Sequence, residues 1–177
     1  LSGSGNDFVF IDNRTGIVAP DQASELAKAV CRHRLSVGAD GIVLINPAPP
    51  DRTDVAYAWR YINADGSDGE MCGNASMCSA RFALREAIAP AHHRFLTVSG
   101  PIEAWANPDS QEVSIAMVDT GPVEPPVALD VAGRALIGHP VLVGVPHVVI
   151  LTDDADAFAD AATFDTIGRA IRHDPAF

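Results

Sequence analysis

Apolar positions along the chain fall into two patterns. Some are short β-branched or aromatic runs closed by Gly, Pro, Asn and Asp, and others recur every third or fourth residue. The short runs predict strands at FVFID (Phe8 to Asp12), IVLI (Ile42 to Ile45), VAYAWRYI (Val55 to Ile62), FLTVS (Phe95 to Ser99), IEAWA (Ile102 to Ala106) and EVSIAMVD (Glu112 to Asp119). A further run, VLVGVPHVVIL (Val141 to Leu151), is interrupted by Gly144 and Pro146, which predicts a bend or bulge rather than one central strand.

Three stretches carry the helical period. In DQASELAKAVCRHR, Ala23, Leu26, Ala27 and Val30 form one apolar stripe, with Asp21 as the expected N-cap of a surface helix. From about Asn74 to Ile88, Met77, Ala80, Leu84 and Ile88 form a second stripe. Ala75, Ser76, Ser79, Ala83 and Ala87 keep the rest of that circumference small, so the helix is slim enough for a sheet to wrap it. A third helix is expected from Ala161 to Arg172, with Phe164, Ile167 and Ile171 on one side, ending at Asp174-Pro175.

The segment TGPVEPPVALDV (Thr120 to Val131) holds three prolines and a glycine and is the expected domain boundary, giving a first domain over 1–120 and the opening of a second over 121–177. The chain opens on Leu1 rather than Met and ends on IRHDPAF without closing an element, so an incomplete second domain is expected. At 177 residues and 47% hydrophobic content the chain is long enough to build a core. Its net charge of −11, spread along the length, argues against nucleic acid or an anionic membrane as partner. Cys31, Cys72 and Cys78 are an odd set without metal-site spacing, which speaks for a reducing compartment. With no run of transmembrane length and no charged-then-apolar leader, a cytoplasmic location is expected.

Cys72 stands apart because MCGN (Met71 to Asn74) joins the turn-rich NADGSDGE to the start of the slim helix. A thiol there feels the partial positive charge of unpaired backbone N–H groups, which favours the thiolate. The N–H groups of Gly73 and Asn74 also suit a substrate carboxylate, and Gly73 admits a ligand close to the backbone. Cys31 and Cys78, inside helical patterns, read as small buried hydrophobes. In GSGNDFVFID the glycines precede a strand rather than a helix, which excludes a dinucleotide fingerprint. Asn6 is there either for turn geometry or as a ligand contact.

Lys28 is the only lysine and lies in the surface helix, which leaves a pyridoxal Schiff base without a good anchor. The histidines at 33, 92, 93, 139, 147 and 173 form no metal motif, and His92-His93 is expected to be an exposed pair. No G-x-S-x-G elbow is present.

GSGNDFVFID, VGADGIVLI (Val37 to Ile45), YINADGSDGEMCGN (Tyr61 to Asn74) and GVPHVVI (Gly144 to Ile150) occur in the order and approximate spacing seen in diaminopimelate epimerases, a family this chain resembles over nearly its whole length. The resemblance implies an α+β fold of two pseudo-symmetric domains, each a mixed, mostly antiparallel sheet curled around a central helix. It implies a cofactor-free isomerase that inverts an amino acid α-carbon with two cysteines on opposite faces of the substrate, in lysine and peptidoglycan synthesis. Cys72 matches the first-domain catalytic cysteine. Asn6, Asn63, Gly73 and Asn74 match substrate contacts, and His147 matches a histidine that tunes the cysteine pair. No metal and no cofactor are implied. The expected partners are a small amino acid and, left open, a second copy of the chain.

Three departures qualify this. Ala75-Ser76-Met77 stands where the family has Gly-x-Arg after Cys-Gly-Asn, and Val145 stands where an asparagine ordinarily holds the distal end of the substrate. The second cysteine and the Glu-Arg pair of the family match a region beyond Phe177, so these residues alone are not expected to epimerise. Three alternatives stay open: a sister racemase or isomerase of another amino or carboxylic acid, a non-catalytic half-enzyme acting as a binding module, and a cysteine hydrolase or transferase.

Overall fold

The computed structural model describes residues 1–117, 119–153 and 159–177. It divides into two compact units, Leu1–Val118 and Asp119–Phe177. In the first, strands β1 (Ser2–Gly3), β2 (Asn6–Asp12), β3 (Gly41–Pro47), β4 (Tyr57–Asn63), β5 (Asp68–Gly69), β6 (His92–Thr97), β7 (Gly100–Ala106) and β8 (Val113–Ile115) accompany helices α1 (Ala23–Val30) and α2 (Gly73–Arg85). The strands form one mixed sheet in the order β1-β2-β3-β4-β6-β7-β8, with β5 beside β4. Its two parallel pairs, β2–β3 and β4–β6, are the two whose connections carry α1 and α2.

This arrangement buries both faces of the central strands, which is why β3 is a continuous apolar run rather than an alternating one. Ile42 and Leu44 of β3 join Ala23 and Ala27 of α1 and Cys31 at its C-cap in one core, whereas Val43 and Ile45 join Phe8, Tyr57, Trp59 and the buried side of α2 in another. Helix α2 touches β1, β2 and β3 near one end of the strand order and β7 and β8 at the other. The sheet is therefore curled around it.

The small residues of α2 make that wrap possible: Ala75, Ser76, Ser79, Ala80 and Ala83 are fully buried. The expected stripe is displaced as a result, because Met77 and Leu84 are only partly buried while the small side takes the closest approach. Ser79 answers for its polarity by pairing its hydroxyl with the buried Tyr57 hydroxyl at 2.8 Å. The helix stops at Arg85 because Ala87 turns left-handed (φ 52°), letting Ile88 N–H reach the Ala83 carbonyl and Ala87 N–H the Leu84 carbonyl.

Several details differ from the sequence expectation. Gln22, not Asp21, occupies the α1 N-cap position, and it makes no side-chain cap. β8 covers only Val113–Ile115, and Val118 of the longer expected strand lies outside the described residues. His93 is not exposed: it is 6% accessible, packs beside Tyr57 and Phe95, and donates Nδ1–H to the Pro90 carbonyl at 2.7 Å. Its position on β6 turns it toward the core, while His92 on the opposite face stacks on Trp105.

The second unit is a three-stranded antiparallel sheet, β9 (Val127–Val131), β10 (Arg134–Val143) and β11 (Val145–Ile150), with helix α3 (Ala161–Arg172). Gly144, at φ 72°, is a chain reversal that pairs Val143 with Val145, so the expected bend is a hairpin between two strands. Leu129, Val131 and Ile167 form its small core. Asp160 caps α3, its Oδ2 accepting from the Thr163 N–H at 2.8 Å and the Thr163 hydroxyl at 2.7 Å.

Candidate active site

The first unit brings four chain segments to one end of its sheet: the start of β2, the residue before β3, the end of β4 and the N-terminus of α2. At that end Cys72 is the N-cap of α2, in extended conformation (φ −146°, ψ 112°), and its Sγ accepts from Ala75 N–H at 3.5 Å. Its carbonyl accepts the first helical bond, from Ser76 N–H at 2.9 Å. Gly73 and Asn74, in the first turn, have no carbonyl within the helix to receive their N–H groups. Cys72, Gly73 and Asn74 are all half-buried.

Asn6 and Asn74, 68 residues apart, meet at this point: the Asn74 amide donates to Asn6 Oδ1 at 3.2 Å. Asn6 Nδ2 in turn donates to Asp40 Oδ2 at 2.7 Å, and the same carboxylate oxygen accepts from Asp7 N–H at 2.8 Å. Those two donors, the Asp7 N–H first, hold the Asp40 carboxyl below the usual carboxylate value. Gly3 fits β1 against the start of α2, since a Cβ there would lie 2.9 Å from Cys78 Sγ and 3.1 Å from the Asn74 carbonyl.

Asn63 ends β4 in a turn that it helps to knot. Its Nδ2 donates to Ser67 Oγ at 3.0 Å, Ser67 Oγ–H donates to Asp65 Oδ1 at 2.6 Å, and Asn63 N–H donates to the Ser67 carbonyl at 2.8 Å. Ser24 of α1 anchors the turn by donating to the Gly66 carbonyl at 2.8 Å. Ala64 N–H reaches the Asp40 carbonyl at 2.9 Å, which ties the Asn63 turn to the Asn6 segment.

His147 belongs to the second unit. It lies on β11 with Nδ1 2.8 Å from the Val145 carbonyl. A carbonyl only accepts, so Nδ1 carries the proton. His147 lines an apolar groove of about 1030 Å³ with Leu142, Pro146, Phe164 and Ile171.

Two residues of this region were not singled out from the sequence. Asp40 sits in the VGADGIVLI motif, but its partners are more than thirty residues away. Tyr61 spreads its ring over Gly41 and Gly69, where a Cβ would come within 2.6 Å and 2.2 Å of it. Burial first, and the neighbouring Cys72 next, push the Tyr61 phenol up to about 12. The other two cysteines are buried, Cys31 at 3% and Cys78 at 6% accessibility, and burial pushes both thiols up. Among the described residues, no group of three or more His, Cys, Asp or Glu is placed to hold a metal ion, and no helix is long and apolar enough to cross a membrane.

Similar folds occur among solved structures. Over 79% of this chain and 44% of the other, it is similar to the crystal structure of a probable proline racemase from Agrobacterium radiobacter K84, with a TM-score of 0.60 at 18% identity. Over 96% of this chain and 60% of the other, it is similar to a Bacillus anthracis phenazine biosynthesis protein of the PhzF family, with a TM-score of 0.51 at 15% identity. The sequence profile of the diaminopimelate epimerase family matches residues 1–125, and the chain belongs to that family. It is 38% identical to the diaminopimelate epimerase of Hydrogenobaculum sp. (strain Y04AAS1), over 99% of this chain and 64% of that protein. It is 36% identical to that of Aquifex aeolicus (strain VF5), over 100% of this chain and 63% of that protein. The chain thus spans somewhat less than two thirds of the length of the curated relatives it matches.

Proposed function

We propose that the protein interconverts LL- and meso-diaminopimelate without pyridoxal, with the Cys72 sulfur moving the proton on one face of the α-carbon. The observation that carries this reading is the N-terminus of α2, where Cys72 is the N-cap, with its Sγ accepting from Ala75 N–H, and the Asn74 amide meets the oriented Asn6 amide. An α-proton next to an ionised carboxylate is a very weak acid. Its removal needs donors aimed at the carboxylate, where negative charge develops, in a site that excludes water. Gly73 and Asn74 N–H groups and the second Asn6 N–H supply such donors. Asn63 keeps Oδ1 as an acceptor for the α-ammonium while its Nδ2 serves the turn.

In this scheme the Cys72 thiolate takes the proton from one face and a second thiol returns one to the other. Buried Cys31 and Cys78 do not serve as that second thiol, and we assign it to the part of the relatives' length that these residues do not span. Residues 1–120 then form the N-terminal epimerase domain and 121–177 open the C-terminal one, with His147 tuning the cysteine pair. A cytoplasmic location and a homodimer complete the reading.

Val145 favours a second reading, a racemase of another amino or carboxylic acid, because its side chain offers the distal end of diaminopimelate no hydrogen bond. Deuterium wash-in at the α-carbon decides between them, using the full gene product with diaminopimelate and a panel of single amino acids, alongside Cys72→Ala. Exchange into diaminopimelate that vanishes in the variant supports the first reading. Exchange only into another substrate transfers the mechanism to that substrate, and no exchange anywhere leaves a binding module.

A further inference from the structure

We infer that Asp40 is the positioning residue of this site: its carboxylate sets the direction of the Asn6 amide and, through Asn6, that of Asn74. The inference rests on the reading of the α2 N-terminus as a carboxylate-binding site and adds a residue that acts without touching substrate.

The argument is one of hydrogen-bond polarity. An amide side chain can sit in its site in two orientations that differ only by exchange of O and N. A carboxylate accepts and does not donate, so Asn6 must turn Nδ2 toward Asp40, as it does at 2.7 Å. Oδ1 then faces away from Asp40 and accepts from Asn74 Nδ2 at 3.2 Å. One fixed acceptor thus orders two amides in series, leaving each with one N–H uncommitted within the pair. If Asn6 were flipped, its oxygen would oppose the carboxylate and its amino group would oppose that of Asn74, placing two pairs of like partners in contact.

Asp40 is itself held from several directions. Its N–H donates to the Asp7 carbonyl at 2.8 Å, its carbonyl accepts from Ala64 N–H at 2.9 Å, and its carboxylate accepts from Asp7 N–H at 2.8 Å. Next to it, Gly41 lies so close to β4 that a Cβ would fall 2.6 Å from the Ile62 carbonyl. The residue therefore couples the segments bearing Asn6 and Asn63, and reaches Asn74 through the first. Among ionisable neighbours, His33, Cys31 and Tyr61 of β4 also interact with it, and Asp7 is adjacent through its backbone.

The test has two arms. In the first, the side-chain amide signals of Asn6 and Asn74 are followed by 15N NMR in the wild-type protein as the pH is lowered, and again in Asp40→Asn. Both amides should shift together in one step as the Asp40 carboxyl is protonated, and that shared step should be absent from Asp40→Asn. An Asn74 signal that ignores the titration overturns the inference, and His33→Gln and Cys31→Ser controls exclude a step that originates in those groups.

In the second arm, Asp40→Ala in the full gene product should lower kcat/KM about tenfold or more, whereas Asp40→Asn, whose Oδ1 can still accept from Asp7 N–H and Asn6 Nδ2, should stay within about threefold of wild type, both with a melting temperature near wild type. An unchanged kcat/KM in Asp40→Ala, or equal losses in the two variants, overturns the inference. If the wild type turns over no substrate, the epimerase reading fails while the NMR arm still decides the role of Asp40. If Asp40→Ala does not fold, the wild-type titration, with Asp40→Asn, Asp7→Asn and the two controls, decides it.

Discussion

Helices α2 and α3 both begin on a capping side chain, yet they are built on opposite plans. α2 lies inside a curled sheet and buries Ala75, Ser76, Cys78, Ser79, Ala80, Phe82 and Ala83, whereas α3 buries Ile167 alone and leaves Phe164 exposed. Their caps differ in the same sense. Asp160 brings a full negative charge to the start of α3 and accepts from both Thr163 groups, so the dipole of that helix is already answered. Cys72 offers α2 only a 3.5 Å contact to sulfur, and no acidic residue stands in its first turn. The helix that is fixed most firmly is thus the one whose N-terminus is left able to receive an anion, a combination that suits a site requiring rigid donors.

The largest effect should come from giving α2 the cap of α3. Cys72→Asp is expected to lower α-proton exchange by about 10²–10⁴-fold, the usual worth of a general acid–base group, while raising stability by about 1 kcal/mol. Exchange assays and urea denaturation measure the two, and exchange that survives the substitution would break the comparison.

Crowding the two helices should separate them next. Ala80→Leu on α2 enlarges a fully buried side chain and is expected to cost about 1–3 kcal/mol in urea denaturation. Gly168→Ala on α3 meets no atom within 4 Å among the described residues outside its own helix backbone and should instead gain up to about 1 kcal/mol from helix propensity. Removing the α3 cap with Asp160→Ala should cost about 1 kcal/mol, read as faster amide exchange at Thr163 and Phe164.

The smallest effect is acid sensitivity from the sheet around α2. Burial holds the His93 imidazole below its ordinary value of 6.5, and its Nε2 is buried without a hydrogen-bond partner. As the pH falls below about 6.5 the unfolded chain takes up a proton that the folded chain refuses, so stability declines from there down to the lowered folded value. Above 6.5 both states are neutral and His93 contributes no slope. His93→Phe should flatten the decline in denaturation midpoints measured from pH 7 to 5.

The elements that could be read in the sequence were those with both pattern and packing in agreement. β3 announces burial on both faces by its unbroken IVLI, and α2 announces a wrapping sheet by its small residues. What could not be read depends on contacts distant in sequence. The Asn6–Asp40 and Asn6–Asn74 bonds join residues 34 and 68 apart, and no local period records them. The burial of His93 follows from the face that β6 presents, which adjacent histidines do not reveal. Gly144 and Pro146 signalled an interruption correctly, but the register from Gly138 to Val143 against Val145 to Ile150 is what makes it a hairpin.

The most direct measurement is the alkylation rate of each cysteine in the native protein, resolved by mass spectrometry with and without diaminopimelate. Cys72 should react at least tenfold faster than buried Cys31 and Cys78, and diaminopimelate should slow it selectively. Equal rates at the three cysteines, or a Cys72 rate that ignores every amino acid tried, would contradict a reactive thiol beside a carboxylate site at the start of α2.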